Sequence, residues 1–354
     1  MKILIIRLSA IGDVVHSLPI LHSLRRKFAD AQIDWIVEDK SCDLLVNNPL
    51  IDNVIIVPKS QWKKRGYSLK NISEYFDVIK RIRHEKYDIA IDLQELYKSA
   101  SLAFFSGAKR RIGHKGTREF ADWFVNEKLP YLDTFDPNKK IIERYLEPAA
   151  YLGAPIDEVK FSLPPIDEET VKYVDTLLAN IDKSKPLTII SPATIWETKH
   201  WIEDHWAEFI NLADEKTNII FSGIEKDNEL INRIISKTNR RNYLSIAGKT
   251  DLFQLMEVFN RTDILLSPDT GPAHIANATD KPEIIMIFGS TSFKRSCPHG
   301  NKHVSLSAEI DCQPCFKRRC PRNDNNMKCM HDITPQKVFD IFNQKITNID
   351  INVI

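Results

Sequence analysis

The chain has 354 residues, of which 43% are hydrophobic and 27% charged, and its formal net charge is +1. This composition is that of an ordinary globular protein and excludes a disordered, fibrous or collagen-like chain, while the length predicts two domains. Residues 1–150 hold 25 Lys and Arg against 20 Asp and Glu. That excess is too small for a protein that binds duplex DNA, so no nucleic-acid partner is expected.

The longest apolar runs fall far short of the ~20 residues that a membrane-spanning helix needs. The N-terminal residues also lack the long apolar region and the small-residue cleavage site of a signal peptide. We therefore expect a cytoplasmic protein without a transmembrane segment.

Short apolar runs alternate with helical patterns along the chain, which predicts an α/β fold with mostly parallel sheets. In the first half, strands are predicted at residues 3–6, 33–37, 54–57 and 89–93, and helices at 14–28 and 73–85. Residues 148–165 contain few signals and end in Ser162-Leu-Pro-Pro165, which proline geometry keeps extended. We place the interdomain linker there.

The pattern then starts again. A helix is predicted at residues 168–181, strands at 187–191, 218–222, 264–267 and 284–288, and a last helix at 335–342. The expected architecture is two similar α/β domains that face each other across a cleft.

The first polar motif is Arg7-Leu-Ser-Ala-Ile-Gly-Asp-Val-Val-His16, between the first strand and a helix. Loops at the carboxyl ends of strands bind ligands in open α/β sheets, and Gly12 permits a close backbone approach. Asp13 has two interpretations here: a cap of the helix, or a base that takes a proton from a substrate hydroxyl. The glycine patterns of dinucleotide-binding and P-loop proteins are missing, so neither class is expected.

The second motif is Ile264-Leu-Leu-Ser-Pro-Asp-Thr-Gly-Pro-Ala-His274, a strand followed by a helix with Pro272 in its first turn. Free N–H groups of Thr270, Gly271 and Ala273 at the helix start are predicted to bind a diphosphate, with Asp269 and His274 beside them. The alternative interpretation is a plain turn capped by Thr270.

The third motif is Ser191-Pro-Ala-Thr-Ile-Trp-Glu-Thr-Lys-His-Trp201. Thr194 offers a hydroxyl and Lys199 a cation, both suited to phosphate oxygens, although a lysine on its own is usually a solvated surface residue. The pairs His200-Trp201 and His205-Trp206 are interpreted as core anchors for the following helix.

Taken together, the three motifs resemble the lipopolysaccharide heptosyltransferases of glycosyltransferase family 9 across nearly the whole chain. The shared patterns are Ser9-x-x-Gly-Asp-x-x-His16, Thr194…Lys199-His-Trp201 and Asp269-Thr-Gly-Pro-Ala-His274. The resemblance implies a GT-B fold of two Rossmann-like domains, with a C-terminal helix crossing back to the first. The predicted domains are residues 1–165 for the acceptor, 166–334 for the nucleotide sugar, and a returning helix and tail at 335–354.

The family resemblance also implies an activity: transfer of heptose from ADP-heptose, with inversion and without a metal ion, onto the lipopolysaccharide inner core. Asp13 would be the general base. The implied donor-binding residues are Ser9, Gly12, Thr194, Lys199, Asp227, Asp269, Thr270, Gly271 and His274. The sequence has no Asp-x-Asp pair of the kind that holds Mg²⁺ on a diphosphate, so helix N-termini and Lys199 would offset the leaving-group charge.

The resemblance places acceptor contacts in the first domain, where cations suit the carboxylates and phosphates of a Kdo-lipid A acceptor. The candidates are Lys64, Lys98, Arg118, Lys140 and Arg144. Basic residues beside Trp62 also suit the surface of the inner membrane, so we expect peripheral association with its cytoplasmic face. Residues 1–21 are most similar to heptosyltransferase I, and the cysteine-bearing tail is closer to heptosyltransferase II.

Five of the six cysteines lie between Cys297 and Cys329, and four form the pattern Cys312-x2-Cys315-x4-Cys320-x8-Cys329. A structural zinc ion, packed free thiols and a disulfide all stay open for this cluster, and no cofactor is expected to be required for catalysis. Two other classes of function also stay open: a nucleotide-sugar epimerase and a non-catalytic sugar-nucleotide-binding protein.

Overall fold

The computed structural model describes residues 1–131, 133, 135–240, 243–324 and 326–351, with backbone alone for 350 and 351. The chain divides into two compact units. One consists of Met1–Asp136 and Ile141–Pro165, and the other of Pro137–Lys140 and Ile166–Ile354. The predicted C-terminal tail at residues 352–354 lies outside the described residues.

The first unit is a parallel six-stranded sheet with helices between its strands, in the order β3-β2-β1-β4-β5-β6. Its strands are β1 (Lys2–Ile6), β2 (Gln32–Glu38), β3 (Asn53–Val57), β4 (Ile89–Asp92), β5 (Arg110–His114) and β6 (Glu127–Leu129). Its helices are α1 (Ile11–Ser17), α2 (Pro19–Lys27), α3 (Lys59–Arg65), α4 (Leu69–His84), α5 (Tyr97–Phe105) and α6 (Ile141–Tyr151). Short 3-10 helices occupy Asp39–Leu44 and Arg118–Trp123.

The single helix predicted at residues 14–28 is two helices, so that prediction is wrong in detail. Helix α1 ends at Ser17, and Pro19 is the first residue of α2. Proline is tolerated in a first turn because its missing N–H has no partner there in any case. Part of the predicted linker is also helical, because α6 continues to Tyr151 with Pro148 inside it.

The second unit is also a parallel six-stranded sheet, in the order β12-β11-β10-β7-β8-β9. Its strands are β7 (Leu187–Ile190), β8 (Asn218–Phe221), β9 (Leu244–Ser245), β10 (Ile264–Pro268), β11 (Glu283–Phe288) and β12 (Val304–Ser307). Its helices are α7 (Glu168–Leu177), α8 (Glu203–Ala213), α9 (Asn228–Ser236), α10 (Leu252–Asn260), α11 (Gly271–Thr279), α12 (Phe293–Ser296), α13 (Lys328–His331) and α14 (Pro335–Ile351). Taken in chain order, the six strands repeat the order of the first sheet. The predicted α/β class with two parallel sheets is confirmed.

Helix α14 packs into the core of the second unit. Phe342 is fully buried, and its ring meets that of Phe209 on α8 edge to face, with 5.3 Å between centroids. Val338 and Ile346 join the same cluster, and each such side chain contributes roughly 1.5–3 kcal/mol of burial. The predicted return of this helix to the first domain stays a prediction.

Among the described helices, none has the length and apolar character to cross a bilayer.

Candidate active site

The first polar cluster lies where β1 and β4 end. Arg7 directly follows β1, and its Nη1 donates to the backbone carbonyl of Leu93, just beyond β4, at 2.8 Å. Strands β1 and β4 are neighbours although β2 and β3 separate them in the chain. The cluster therefore occupies the topological switch point, where open α/β sheets bind their ligands.

Asp13 contacts Arg7 and Tyr145 at this point. Its Oδ2 lies 2.7 Å from Nη2 of Arg7, and its Oδ1 accepts a hydrogen bond from the Tyr145 hydroxyl at 3.1 Å. The Arg7 guanidinium also stacks on the Tyr145 ring, 5.0 Å from its centroid. The Asp13 side chain is 38% exposed, whereas that of Arg7 is only 7% exposed. The carboxylate is thus held from the protein side and open to solvent.

The helix-cap interpretation of Asp13 is wrong. The N-cap of α1 is Ala10, whose extended backbone precedes the helix, and Asp13 lies in the first turn. A carboxylate there still complements the helix dipole. Its side chain contacts Arg7 and Tyr145, which lie outside the helix.

Burial and neighbouring polar groups shift the pKa values of the residues around Asp13 in opposite directions. Burial disfavours the cationic form of Arg7, but the adjacent Asp13 carboxylate outweighs it and the pKa of Arg7 is raised. Asp92 ends β4, and burial raises its pKa to about 7, despite N–H donation from Glu95 and Gln94. A buried carboxyl of the first unit therefore titrates near neutral pH.

A second buried network lies beside this cluster. Nδ1 of His114, the last residue of β5, contacts Glu95, and its Nε2 lies 2.6 Å from Glu147 on α6. Glu95 also forms an ion pair with Arg144, which is 5% exposed. Burial would raise the pKa of Glu95, but His114 and Arg144 hold it below its usual value. This network links β4, β5 and α6, the helix that carries Tyr145.

The five predicted acceptor cations lie in different surroundings. Lys64 and Arg118 are exposed in the first unit, and Arg118 lies over the Phe135 ring. Lys98 donates to Glu38 at 2.7 Å and to the Ser9 hydroxyl at 3.3 Å.

All five cations were expected to lie in the first domain and to be able to contact the acceptor. Two of them do not match this expectation. Lys140 belongs to the second unit, in the segment Pro137–Lys140. Arg144 is buried, and its charge is paired with Glu95 in the loop after β4. An acceptor contact through Arg144 therefore lacks structural support.

The second unit carries its own polar cluster at the matching position, where β7 and β10 end. Lys199 follows β7 and its Nζ lies 2.7 Å from Oδ2 of Asp269, which follows β10. Asp269 also accepts from the Thr291 hydroxyl at 2.7 Å and contacts His274 Nε2 at 3.0 Å. Burial alone would raise the pKa of Asp269, but Lys199 and His274 hold it well below its usual range. The buried Asp269 carboxylate anchors Lys199 through this ion pair.

Helix α11 begins directly after this anchor. Its N-cap is Thr270, without a side-chain cap hydrogen bond, and Pro272 lies in the first turn. The predicted use of the Ala273 N–H is wrong, because it donates to the Thr270 carbonyl at 3.1 Å. Within the described part of the chain, no acceptor is recorded for the N–H groups of Thr270 and Gly271. These two groups and the dipole of α11 are what an anion would meet.

The remaining predicted donor residues lie at the same sheet edges. The Thr194 carbonyl accepts from His200 Nε2 at 2.9 Å, which shapes the loop before Lys199. Asp227 accepts from the N–H of Ile224 at 2.9 Å and so closes the turn after β8. Gly12 is the second residue of α1. Ser9 and Gly12 thus belong to the first unit, and the other predicted donor residues to the second.

The prediction that Trp201 and Trp206 anchor the following helix, α8, in the core is confirmed. They are 2% and 1% exposed, and their rings meet edge to face. The Trp201 indole N–H donates to the carbonyl of Ile333 at 2.8 Å. The loop with Lys199 is thereby tied to the segment before α14.

All six cysteines are free thiols, so the disulfide alternative is wrong. The four clustered cysteines Cys312, Cys315, Cys320 and Cys329 line one small cavity of about 20 Å³. Burial raises the pKa of Cys329 to about 11, with help from the three other sulfurs. In the described parts of the chain, no group of three or more His, Cys, Asp or Glu side chains is arranged to hold a metal ion.

Sequence reasoning missed Arg7, Tyr145 and the His114 network. Arg7 was visible as the residue directly after the first strand, within the first motif, and a cation beside Asp13 could have been inferred from that position. Tyr145 and Glu147 come from a distant helix, and no local pattern connects them with Asp13 or His114.

Comparisons with known proteins point to one family. Residues 75–325 match the model of glycosyltransferase family 9 (heptosyltransferase). The chain is 30% identical to the lipopolysaccharide core heptosyltransferase OpsX of Haemophilus influenzae over 84% of its own length and 81% of the relative's. It is 26% identical to lipopolysaccharide heptosyltransferase 1 of Pseudomonas aeruginosa, over 90% and 87%.

The fold is similar to that of a solved structure, the E. coli ADP-heptose lps heptosyltransferase II. The TM-score is 0.77 at 22% identity, with 99% of this chain and 100% of the other covered. With two parallel sheets of this type and a family match over most of its length, the chain belongs to glycosyltransferase family 9, the heptosyltransferases, and is a glycosyltransferase.

Proposed function

We propose that the protein transfers heptose from ADP-heptose, with inversion, onto the Kdo region of the lipopolysaccharide inner core, as a heptosyltransferase I-like enzyme acting on Kdo-lipid A. The observation that carries the proposal is Asp13, a partly exposed carboxylate at a sheet switch point, held by Arg7 and Tyr145. Relatives named lipopolysaccharide heptosyltransferase 1 and 2 both match the chain. Heptosyltransferase II is therefore the first alternative within the family.

In the proposed reaction, Asp13 accepts the proton of an acceptor hydroxyl. The hydroxyl oxygen forms a bond to the anomeric carbon of heptose, and the bond from that carbon to the diphosphate oxygen breaks. The electron pair of the broken bond leaves with ADP. Attack opposite the leaving group inverts the anomeric centre. Arg7 and Tyr145 aim the carboxylate, and general-base help of this kind typically contributes ~10²–10⁴ in rate.

The second unit supplies the groups suited to the diphosphate. Lys199 is a cation oriented by the buried Asp269, and the N–H groups of Thr270 and Gly271 open α11. Donors that are already oriented stabilise a developing negative charge without reorganising. Thr194, Asp227 and His274 complete the proposed donor site. No step is assigned to a metal ion.

The proposed acceptor contacts are Lys64, Lys98 and Arg118, all in the first unit. Their charges suit an acceptor that carries carboxylates and phosphates. Because such an acceptor is anchored in lipid, we place the enzyme at the cytoplasmic face of the inner membrane.

The two alternative functions would give different outcomes: a nucleotide-sugar epimerase would isomerise the donor, and a non-catalytic binding protein would leave it unchanged. The deciding experiment measures ADP release from a panel of nucleotide sugars, with and without Kdo-lipid A, and identifies the sugar product. Acceptor-dependent release from ADP-heptose with a heptosylated product supports the proposal. An isomerised nucleotide sugar without acceptor, or an unchanged donor, would overturn it. An acceptor that already carries one heptose separates heptosyltransferase II from I.

A structural zinc ion at the four clustered cysteines is a separate proposal. Its support is that the four thiols line one cavity; the arrangement of the described residues argues against it. Metal analysis of protein purified without added zinc tests it, and a stoichiometry near zero removes it.

A further inference from the structure

Helix α4 has a wide apolar side, and only part of it packs against the fold. Tyr75, Val78 and Ile79 pack towards the core cluster of the first sheet. Leu69, Ile72 and Phe76, spaced three and four residues apart, lie at the exposed edge of that side and are 85%, 54% and 54% exposed. Tyr67, just before the helix, is fully exposed. We call these four residues the apolar stripe. Exposed large apolar side chains that are grouped by helix spacing are candidates for an interaction site.

The apolar stripe lies in a strongly basic part of the chain. Residues 59–84 hold eight Lys and Arg against two Asp and Glu, a net charge of +6 that exceeds the +5 of the first 150 residues together. Both acidic residues already have cationic partners, Glu74 with Arg65 at 2.6 Å and Asp77 with Lys80 at 3.9 Å.

Two lysines of this basic segment are available to a partner. Lys63, at the end of α3, and Lys70, in the first turn of α4, are both exposed. Among the described residues, neither forms an ion pair. The surface thus joins protruding apolar and aromatic side chains with uncompensated positive charge.

We infer that the apolar stripe, with Lys63 and Lys70, docks the enzyme onto an anionic lipid bilayer. Interfacial elements bind bilayers by inserting apolar side chains at the headgroup level while lysines meet anionic lipids. A second copy of the chain is a poorer occupant, because a symmetric interface would place two +6 segments against each other. The inference rests on the proposed function in one respect only: docking would serve to bring the enzyme to a lipid-anchored acceptor.

The test measures sedimentation with vesicles that contain no saccharide, made of phosphatidylcholine alone or with added phosphatidylglycerol. The variants are Leu69→Ser/Ile72→Ser/Phe76→Ser and Lys63→Glu/Lys70→Glu. Lys64 is left unchanged because it is a proposed acceptor contact. The matched charge control is Lys172→Glu/Lys183→Glu, on the exposed surface of the second unit.

Wild-type protein and the control should bind the anionic vesicles, and added salt should weaken binding. The lysine variant should lose more than about tenfold in partitioning, since each lysine near an anionic surface is worth about fivefold. The serine variant should lose at least as much, with an unchanged melting temperature checked first. The inference is overturned if wild-type protein ignores anionic vesicles, or if both variants bind like the control. It is also overturned if the serine variant converts a dimer to a monomer.

A separate measurement distinguishes this inference from the proposed function. Both variants should release ADP at the wild-type rate with a delipidated, water-soluble acceptor. If wild-type protein binds vesicles but transfers no heptose, the docking surface stands and the proposed function fails. If wild-type protein transfers heptose to the soluble acceptor but does not bind vesicles, the proposed function stands and the docking surface fails.

Discussion

Replacing Asp13 by Asn separates its structural contribution from its chemical one. Asn keeps the shape but cannot accept the proton, so turnover should fall by ~10²–10⁴. The stability effect follows from Arg7, whose side chain is 7% exposed and loses its ionised partner at 2.7 Å. A hydrogen bond to a charged group contributes about 1.5–3 kcal/mol. For a domain of this size, that loss lowers the melting temperature by roughly 3–10 °C.

The assay combines turnover, ADP-heptose affinity and thermal unfolding for wild-type protein, Asp13→Asn, Arg7→Gln and the double variant. Affinity should change little, because the proposed diphosphate contacts come from the second unit. The double variant should be more stable than the sum of the single effects predicts, since the two residues are in contact. Turnover above about a tenth of wild type in Asp13→Asn would refute the general base. Additive stability effects would refute the ion pair as the source of the destabilisation.

Three further variants test other parts of the structure. Lys199→Ala should weaken ADP affinity, measured by calorimetric titration, and destabilise the second unit by ~3–5 kcal/mol, because Asp269 stays buried without its cation; unchanged affinity would contradict the proposed donor site. Asp92 has its pKa raised from 3.8 to about 7 in the folded protein, so the folded state holds a proton that the unfolded chain releases. The stability of wild-type protein should therefore fall between about pH 4 and pH 7, by about 4 kcal/mol in total. Asp92→Asn should lack this slope in denaturant titrations across pH, and equal slopes in both proteins would exclude Asp92 as its origin. Phe342→Ala should cost ~3–5 kcal/mol in the unfolding of the second unit, and a smaller loss in thermal melts would show that α14 contributes little to that core.

The fold class was predictable because parallel sheets buried on both faces read as apolar runs separated by helical patterns. The division of residues 11–27 into two helices could also have been predicted, because proline favours the first turn of a helix and Pro19 begins α2. The burial of Arg144 could not be predicted from the sequence, because its partner Glu95 lies 49 residues away in the chain.

The site was predictable where one loop carries the chemistry. Asp13 and Lys199 each follow the first strand of a sheet, and such positions lie at a switch point. Their partners were predictable only in part. Asp269 and His274 share one motif, but Tyr145 reaches Asp13 from 132 residues away. A sequence also does not show which N–H groups in the first turn of a helix already donate a hydrogen bond. The N–H of Ala273 is such a group.

The burial of α14 has a consequence for the order of events during synthesis. Apart from Pro137–Lys140, the first unit is complete once Pro165 has been made, and domains generally fold as units from the N-terminus. The second unit must wait, because Val338, Phe342 and Ile346 fill a core that begins with β7. A premature stop before Val338 would therefore leave the first unit folded and the second with exposed apolar surface. Such a product is expected to aggregate or be degraded rather than to be merely shorter.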